Sequence, residues 1–256
     1  MTFYDRESYV KADSPIKKIL LKLFKRTDQI TIFDIGACEG EESLRYCKLF
    51  PNAQILTFEP LPKNQDLIRG NIKKYNANNI ELISCAVSNL NGFSQFYVSS
   101  GHPDNESNLL DWDFGNKSSS LLLPNSNNNP KWLEFKEKIS VETITLKKVI
   151  EEREISQIDF IHMDVQGAEL DVLKGADKYL KQVKAIWLEV SNIELYKGQP
   201  LILDVENYMT SKGFTLIKTE LEGQVGDQFY LNNNYYRMIS LFRNSIQWIY
   251  KKQIKS

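Results

Sequence analysis

The chain has 256 residues, 42% of them hydrophobic, and a formal net charge of −1, which suits one large α/β domain with additions, or two small ones at most. Residues 1–26 hold seven Lys/Arg against three acids and residues 235–256 hold five against none, which leaves 20 basic and 30 acidic residues between them. An acidic body lacks the basic stripe that a nucleic-acid groove needs, and no run approaches the roughly 18 apolar residues of a membrane-spanning helix.

Residues 1–14 are polar and charged, without an apolar leader core, so a cytoplasmic protein is expected. Residues 16–24 place apolar side chains at helical spacing among lysines, giving a basic helical extension over residues 1–29. Residues 30–40, ITIFDIGACEG, then form an apolar strand ending in an acid and two glycines four residues apart. Ile30, Ile32, Phe33 and Ile35 suit a strand buried on both faces of a parallel sheet. Gly36 serves a tight turn and Gly40 a close approach to the next helix, residues 41–50, so Asp34, Gly36 and Gly40 become candidate ligand contacts at the strand's carboxyl end.

Residues 54–59, QILTFE, make a second strand whose terminal Glu59 comes 23 residues after Gly36, near the roughly 20-residue spacing at which a carboxylate meets ribose hydroxyls. Pro60 stops that strand. Dinucleotides and S-adenosylmethionine share this geometry. Cys38 stands where the dinucleotide fingerprint wants its second glycine, and Glu39, Glu41 and Glu42 surround it. That setting is unfavourable for a pyrophosphate and acceptable for a ligand with ammonium and sulfonium groups, so the methyl donor fits better.

A helix over 63–75 and a third strand over 80–87 follow, with Ala86 and Val87 placed to lie beside an adenine ring or to serve the core. Cys38, Cys47 and Cys85 are scattered, which indicates neither a disulfide frame nor a zinc site, and no metal is expected. Residues 92–99 alternate as an added strand. Residues 100–131, rich in Ser, Asn, Asp and Pro around Trp112 and Leu121–Leu123, are too long for a simple connection and read as a substrate cap. A strand over 139–146 and a helix over 147–153 return to the regular pattern.

Residues 158–169, IDFIHMDVQGAE, form the second chemical centre. By period two, His162 and Asp164 point to the same side of their strand, and Gly167 turns the chain into a helix over 168–174. His162 is then a candidate general base or a satisfied structural histidine. Glu189 stands near the end of the strand over 185–190. A helix over 201–212 and strands over 214–218 and 228–231 follow. Ile239, Phe242, Ile246 and Ile249 give a basic amphipathic helix over 233–256. Both basic ends suit packing on the sheet, a homodimer contact or a peripheral contact with an anionic membrane.

Residues 33–40 (FDIGACEG), 57–60 (TFEP), 86–88 (AVS), 118–121 (SSSL), 158–176 (IDFIHMDVQGAELDVLKGA) and 186–201 (IWLEVSNIELYKGQPL) together resemble the FkbM family of S-adenosylmethionine-dependent methyltransferases. The resemblance spans residues 30–232. It implies a class I Rossmann-like α/β fold, a seven-stranded, mostly parallel sheet with one antiparallel strand, and O-methylation of sugar and other small-molecule hydroxyls. Asp34, Gly36, Ala37 and Gly40 would frame the methionine part of the cofactor, Glu59 with Pro60 the ribose, and Ala86 with Val87 the adenine, while Asp164 and Gln166 close the crevice. Where the family usually has Lys-Ile-Asp-Val-Glu-Gly, this chain has His162-Met163-Asp164-Val165-Gln166-Gly167.

His162, Asp164 and Glu189 are the candidates for general base. Trp112, Tyr196, Lys197 and Gln199 are the candidates for holding a sugar or glycan acceptor. A nicotinamide enzyme and a non-catalytic cofactor-binding protein are the alternatives in other classes.

Overall fold

The strand read at 30–35 owes its unbroken apolar character to a sheet covered on both sides. The computed structural model describes residues 6–103 and 114–235. In chain order the amino-terminal helices α1 (Arg6–Lys11) and α2 (Lys17–Leu23) precede β1 (Thr31–Ile35), α3 (Glu41–Leu49), β2 (Gln54–Phe58), α4 (Pro62–Tyr75) and β3 (Ile80–Ile83). The short β4 (Ala86–Val87), β5 (Gly92–Ser100) and β6 (Glu134–Ile144) follow, then α5 (Leu146–Glu152), β7 (Ile158–Met163), α6 (Glu169–Gly175) and β8 (Val183–Ser191). The chain continues through α7 (Ile202–Ser211), β9 (Phe214–Glu222) and β10 (Val225–Asn232).

The main sheet has the order β3-β2-β1-β7-β8-β10-β9, and only β10 runs against its neighbours. This is the mostly parallel, seven-stranded class I arrangement that the motifs imply. Phe33, Ile35, Leu56, Phe58, Ile161 and Met163 face a core layer closed by α5, α6 and α7. Ile32, Ile55, Phe160 and Ala185 face the opposite layer, closed by α1 to α4. The order of the sheet reverses between β1 and β7, and the carboxyl edge there is the crevice in which ligands of open α/β sheets sit.

The apolar stripe of residues 16–24 packs on this second layer. Ile16 and Leu20 are fully buried, and Phe24 sits edge-on to Phe50 and stacked with Tyr235, each at 6.3 Å. For this end of the chain the packing alternative is the one observed. The amphipathic stretch read at 233–256 lies, from residue 236 on, outside the described residues, as does Trp112.

One strand differs from its reading. Residues 80–87 divide: β3 stays beside β2 as far as the Phe58–Ile83 pair, the chain turns with Cys85 N–H donating to the Ile83 carbonyl (2.9 Å), and Ala86 and Val87 pair instead with Thr143 and Ile144. They belong to a second sheet, β4-β6-β5. Partners distant in sequence, not local apolar alternation, make that break. β6 and β9 are also longer than read, because Glu134–Lys138 and Thr219–Glu222 are mostly polar ladder residues in which Phe135 and Leu221 stand alone among charged and hydroxyl side chains.

Gly36 has φ +79°, and a Cβ built on it would stand 1.8 Å from the Asp164 carbonyl oxygen. Backbone on both strands leaves nothing to yield. Gly36→Ala is expected to cost about 3 kcal/mol or more in urea unfolding, from overpacking and positive-φ strain. Gly70→Ala in α4, with nothing within 4 Å of its Cβ, is expected to add up to ~1 kcal/mol. Equal effects from the two substitutions would refute the close-approach account.

Candidate functional site

The site is built where β1 and β7 end side by side. One rung of the sheet joins Thr57, Asp34, His162 and Trp187 across β2, β1, β7 and β8. Asp34 is fully buried; its Oδ2 accepts from Ser43 Oγ and its Oδ1 lies 2.9 Å from His162 Nδ1. Burial alone would lower the His162 pKa. The hydrogen bond and charge of Asp34, with Glu42 and Asp227 beyond, outweigh it and raise the pKa to about 9. The ring is therefore an imidazolium at neutral pH, donating Nδ1–H to Asp34 and packed edge-on by Tyr46 at 5.8 Å. Of the two roles open to His162, this pairing is that of the structural histidine, the counter-ion of a buried carboxylate.

The turn after β1 carries Gly36, Cys38 and Gly40, all with positive φ. Cys38, at φ 52°, turns its amide toward the end of β2, where Glu59 Oε2 accepts from Cys38 N–H (2.9 Å) and Oε1 from Leu61 N–H (2.8 Å). Burial pushes Glu59 up to about 8, opposed by these two amides and by Asn64. A carboxylate has about four acceptor positions, so about one remains after the two amides and Asn64 are served. Glu59 lines a cleft of about 510 Å³ together with Gly36, Pro60, Ala86, Val87, Asp164 and Gln166. Phe58, Phe96 and Leu121 make its apolar wall and Asn64, Asn116 and Ser119 its polar one. Ala37 lines the neighbouring cavity, and Gly40 lines neither, its place being against Ile68 under α4.

The segment after β7 is tied down by side chains. Gln166, at φ 54°, donates Nε2–H to Asp164 Oδ1 (2.7 Å) and Glu189 Oε2 (3.1 Å), while its carbonyl accepts from Ser120 Oγ of the cap segment (2.7 Å). Tyr196 Oη lies 2.8 Å from Gln166 Oε1 and 2.7 Å from the Ser118 carbonyl. Glu169 Oε1 accepts from Val165 and Gly167 N–H, both at 3.2 Å. Burial pushes the Asp164 carboxyl up, and burial with the charges of Asp164, Glu169 and Asp227 pushes Glu189 well up. Asp164 lines both cavities; Glu189 lines neither.

Two of the expected acceptor contacts are removed by this framework. Tyr196 is 1% exposed, its ring edge-on to Phe135 and its hydroxyl committed, so no face is open for a sugar. Gln199 is buried, with Oε1 accepting from Leu195 and Tyr196 N–H. Lys197 is exposed and borders neither cavity.

The second cavity, about 830 Å³, adjoins the first through Gly36, Cys38, Lys117 and Asp164. Its walls carry the carboxylates of Asp34, Glu41, Glu42, Asp164 and Asp227, the rings of Tyr9 and Trp187, and the cations Lys117 and His162. Burial raises Asp227 to about 7. Sequence reasoning missed Tyr9, Lys117, Trp187 and Asp227 as lining residues of this cavity. Trp187 stands two residues before Glu189 on the same strand, the one local signal available.

Reasoning from sequence also missed a buried link. Glu39, 1% exposed, takes Arg6 of α1 on Oε2 and Asn116 Nδ2 of the cap segment on Oε1 (3.1 Å). Asn116 also donates to Asn64 Oδ1 (3.0 Å). One carboxylate thus fastens the amino-terminal helix and the cap to the turn after β1. Among the described residues, no group of three or more His, Cys, Asp or Glu is arranged to hold a metal.

With this geometry in view, comparison with known proteins is informative. The family profile described as the methyltransferase FkbM domain matches residues 34–216. The 2-O-methyltransferase NoeI of Sinorhizobium fredii (strain NBRC 101917 / NGR234) is 32% identical over 213 residues, 83% of either chain. The methyltransferase sdnD of Sordaria araneosa is 26% identical over 209 residues, covering 77% of this chain and 78% of its own. Among solved structures, M. capricolum TrmK in complex with S-adenosyl-homocysteine superposes at TM-score 0.46 with 11% identity, over 86% of this chain and 69% of that one.

Because the chain has only two histidines, the His162 ring can be followed directly by NMR. It is expected to titrate near 9 and to fall toward the ordinary value of about 6.5 in Asp34→Asn. A pKa raised in the folded state gives stability that is full below about 6.5 and lost as pH climbs through about 9. The stability difference between wild type and His162→Gln should therefore be about 3 kcal/mol larger at pH 6 than at pH 10. A ring that titrates at or below 6.5 would restore the neutral base.

Proposed function

The chain belongs to the FkbM methyltransferase family and is an S-adenosylmethionine-dependent methyltransferase, and from that premise we propose that it methylates a hydroxyl group of a sugar or glycan. The observation that carries this reading is the pair of unlike cavities meeting at Asp164. The first is apolar on one side and carries the Glu59 carboxylate on the other, which suits an adenosine: ribose hydroxyls donate to Glu59 while Phe58, Ala86, Val87 and Leu121 flank the base. The second offers carboxylates as acceptors for several hydroxyls and two aromatic rings for the apolar faces of a sugar. That the relative NoeI is a 2-O-methyltransferase supports oxygen as the accepting atom.

When bound, the cofactor supplies an electrophilic methyl group on a sulfonium. The protein's own work is then alignment and proton removal. Asp164 stands at the junction of the two cavities, where its carboxylate would orient an acceptor hydroxyl and take up its proton. Gln166, held by Tyr196 and Ser120, fixes the orientation of Asp164 through Nε2 and bridges it to Glu189. His162 keeps Asp34 paired and its charge offsets the acids around the second cavity. The acidic surroundings of Gly36 and Cys38 suit the cofactor's cationic groups.

Calorimetry with S-adenosylhomocysteine and with NAD tests the cofactor half: the first is expected to bind and the second not. Glu59→Gln should weaken S-adenosylhomocysteine by roughly 10- to 100-fold. Because Glu59 is the stronger acceptor for ribose hydroxyls when ionised, wild-type affinity should rise with pH up to about 8 and level off, and Glu59→Gln should lack that rise. For the acceptor half, transfer from isotopically labelled cofactor into a panel of glycans and sugar conjugates should fall about 10²- to 10⁴-fold in Asp164→Asn, with S-adenosylhomocysteine affinity kept within a few-fold. Absent S-adenosylhomocysteine binding, or transfer only to nitrogen or carbon acceptors, refutes the reading.

A further inference from the structure

Behind the acidic cavity lies a smaller one of opposite charge. It is a cleft of about 370 Å³ whose charged lining is Lys17, Arg26, Arg45 and Lys48, with Asp13 the one acid. Three contacts show that the two cavities share a wall. Ser14 lines both. Glu42 of the acidic cavity accepts from Arg45 Nη1 (2.6 Å) and from Tyr9 Oη (2.5 Å). The Arg45 guanidinium lies 4.3 Å from the centroid of the Tyr9 ring. The partition is thus Tyr9, Glu42 and Arg45, with acids and rings on one side and cations on the other.

The cations of this cleft are not all neutralised. Arg45 is paired with Glu42 and Lys17 with Asp13. Arg26 Nη2 and Lys48 Nζ donate instead to the carbonyls of Lys48 and Lys11, both at 3.1 Å. Those bonds orient the two side chains without cancelling their charge. The field is already felt by an anion at the rim: the hydrogen bond from Lys17, then the charges of Lys17, Lys48 and Arg45, hold the Asp13 carboxyl below its ordinary value. Oriented arginine and lysine donors around a small cleft match the oxygens of a phosphate or diphosphate.

We propose that the Lys17–Arg26–Arg45–Lys48 cleft binds the phosphate or diphosphate of a glycosyl phosphate acceptor, whose sugar occupies the acidic cavity beyond Tyr9. This rests on the reading of that cavity as the acceptor site. A sugar ring presents hydroxyl donors and its anomeric phosphate presents acceptors, so one molecule meets both charge signs in the order in which the partition separates them. Nucleotide-linked and lipid-linked sugars share this chemistry.

The test is calorimetric titration of inorganic pyrophosphate into the full chain saturated with S-adenosylhomocysteine. Binding is expected, weakening as salt is raised, and roughly tenfold or more weaker in the Arg26→Ala/Lys48→Ala double variant. Both residues are exposed, and Lys48→Glu serves as a second variant with a sharper expected loss. S-adenosylhomocysteine affinity should be unchanged in both variants. UDP-glucose and vesicles carrying a polyprenyl diphosphate sugar, titrated in the same way, distinguish the two sources by which one shows the same dependence on Arg26 and Lys48. If S-adenosylhomocysteine binds but pyrophosphate does not, or binds the variants equally well, the phosphate cleft is refuted while the methyltransferase reading stands. If S-adenosylhomocysteine itself fails to bind, the proposed cofactor site falls first.

Discussion

Gly36 lies against the backbone of Asp164 with no room for a single methyl group, and the arrangement of the rest of the site follows from that contact. Two parallel strands that approach so closely at their carboxyl ends bring Asp34 and His162 onto one rung and leave Asp164 standing just past it. The chain after β1 must turn back in left-handed conformations, and that turn aims the Cys38 amide at Glu59. A side chain at position 36 would separate the strands, break the Asp34–His162 pair and move Asp164 away from the junction of the two cavities. Packing and chemistry are one constraint here.

The second constraint is charge. Burying a carboxylate is costly unless a proton, a cation or several donors accompany it, and the buried acids of this site divide such companions among them. Asp34 has the His162 imidazolium, Glu39 has Arg6, and Glu59 and Glu169 each accept from two backbone amides. The two departures from the family pattern are intelligible on these terms. An imidazolium at position 162 supplies the positive charge that a lysine would bring to Asp34, though one that titrates near 9. An amide at position 166 removes one carboxylate from beside Asp164 and Glu189 and supplies a donor that bridges them.

What was legible in the sequence is what depends on local pattern. Unbroken apolar runs ending in Asp34, Glu59 and Asp164 gave the central strands and their edge, because a parallel sheet covered on both faces forces that composition. Polar strand ends such as Glu134–Lys138 were invisible, since their pairing is backbone to backbone. The break between β3 and β4 is set by partners 57 residues downstream, where Ala86 meets Thr143. The role of His162 could not be decided either: residue type allowed a base or a structural partner, and the buried acid it meets at 2.9 Å stands 128 residues away in sequence. Tyr196 was misjudged for a related reason. A tyrosine in a loop looks available, but two acceptors and Phe135 enclose this one.

The residues that hold the two halves of the site come from different parts of the chain, and this separates what must stay fixed from what can vary. The first cleft is made by the turns after β1, β2 and β7, which the close approach of the strands holds in place, together with Ala86, Val87 and Phe96 and with Asn116, Ser119 and Leu121 of the cap. The acidic cavity takes Tyr9, Ser14 and Pro15 from the amino-terminal segment, and Lys117, from the cap, borders both. Neither segment contributes a strand to the central sheet, so substitution there changes the cavity wall without moving Gly36 against Asp164. Both nevertheless converge on Glu39, through Arg6 and Asn116. The wall of the acidic cavity is thereby open to change chiefly through the amino-terminal segment, provided that the pair of contacts to this one buried carboxylate is kept.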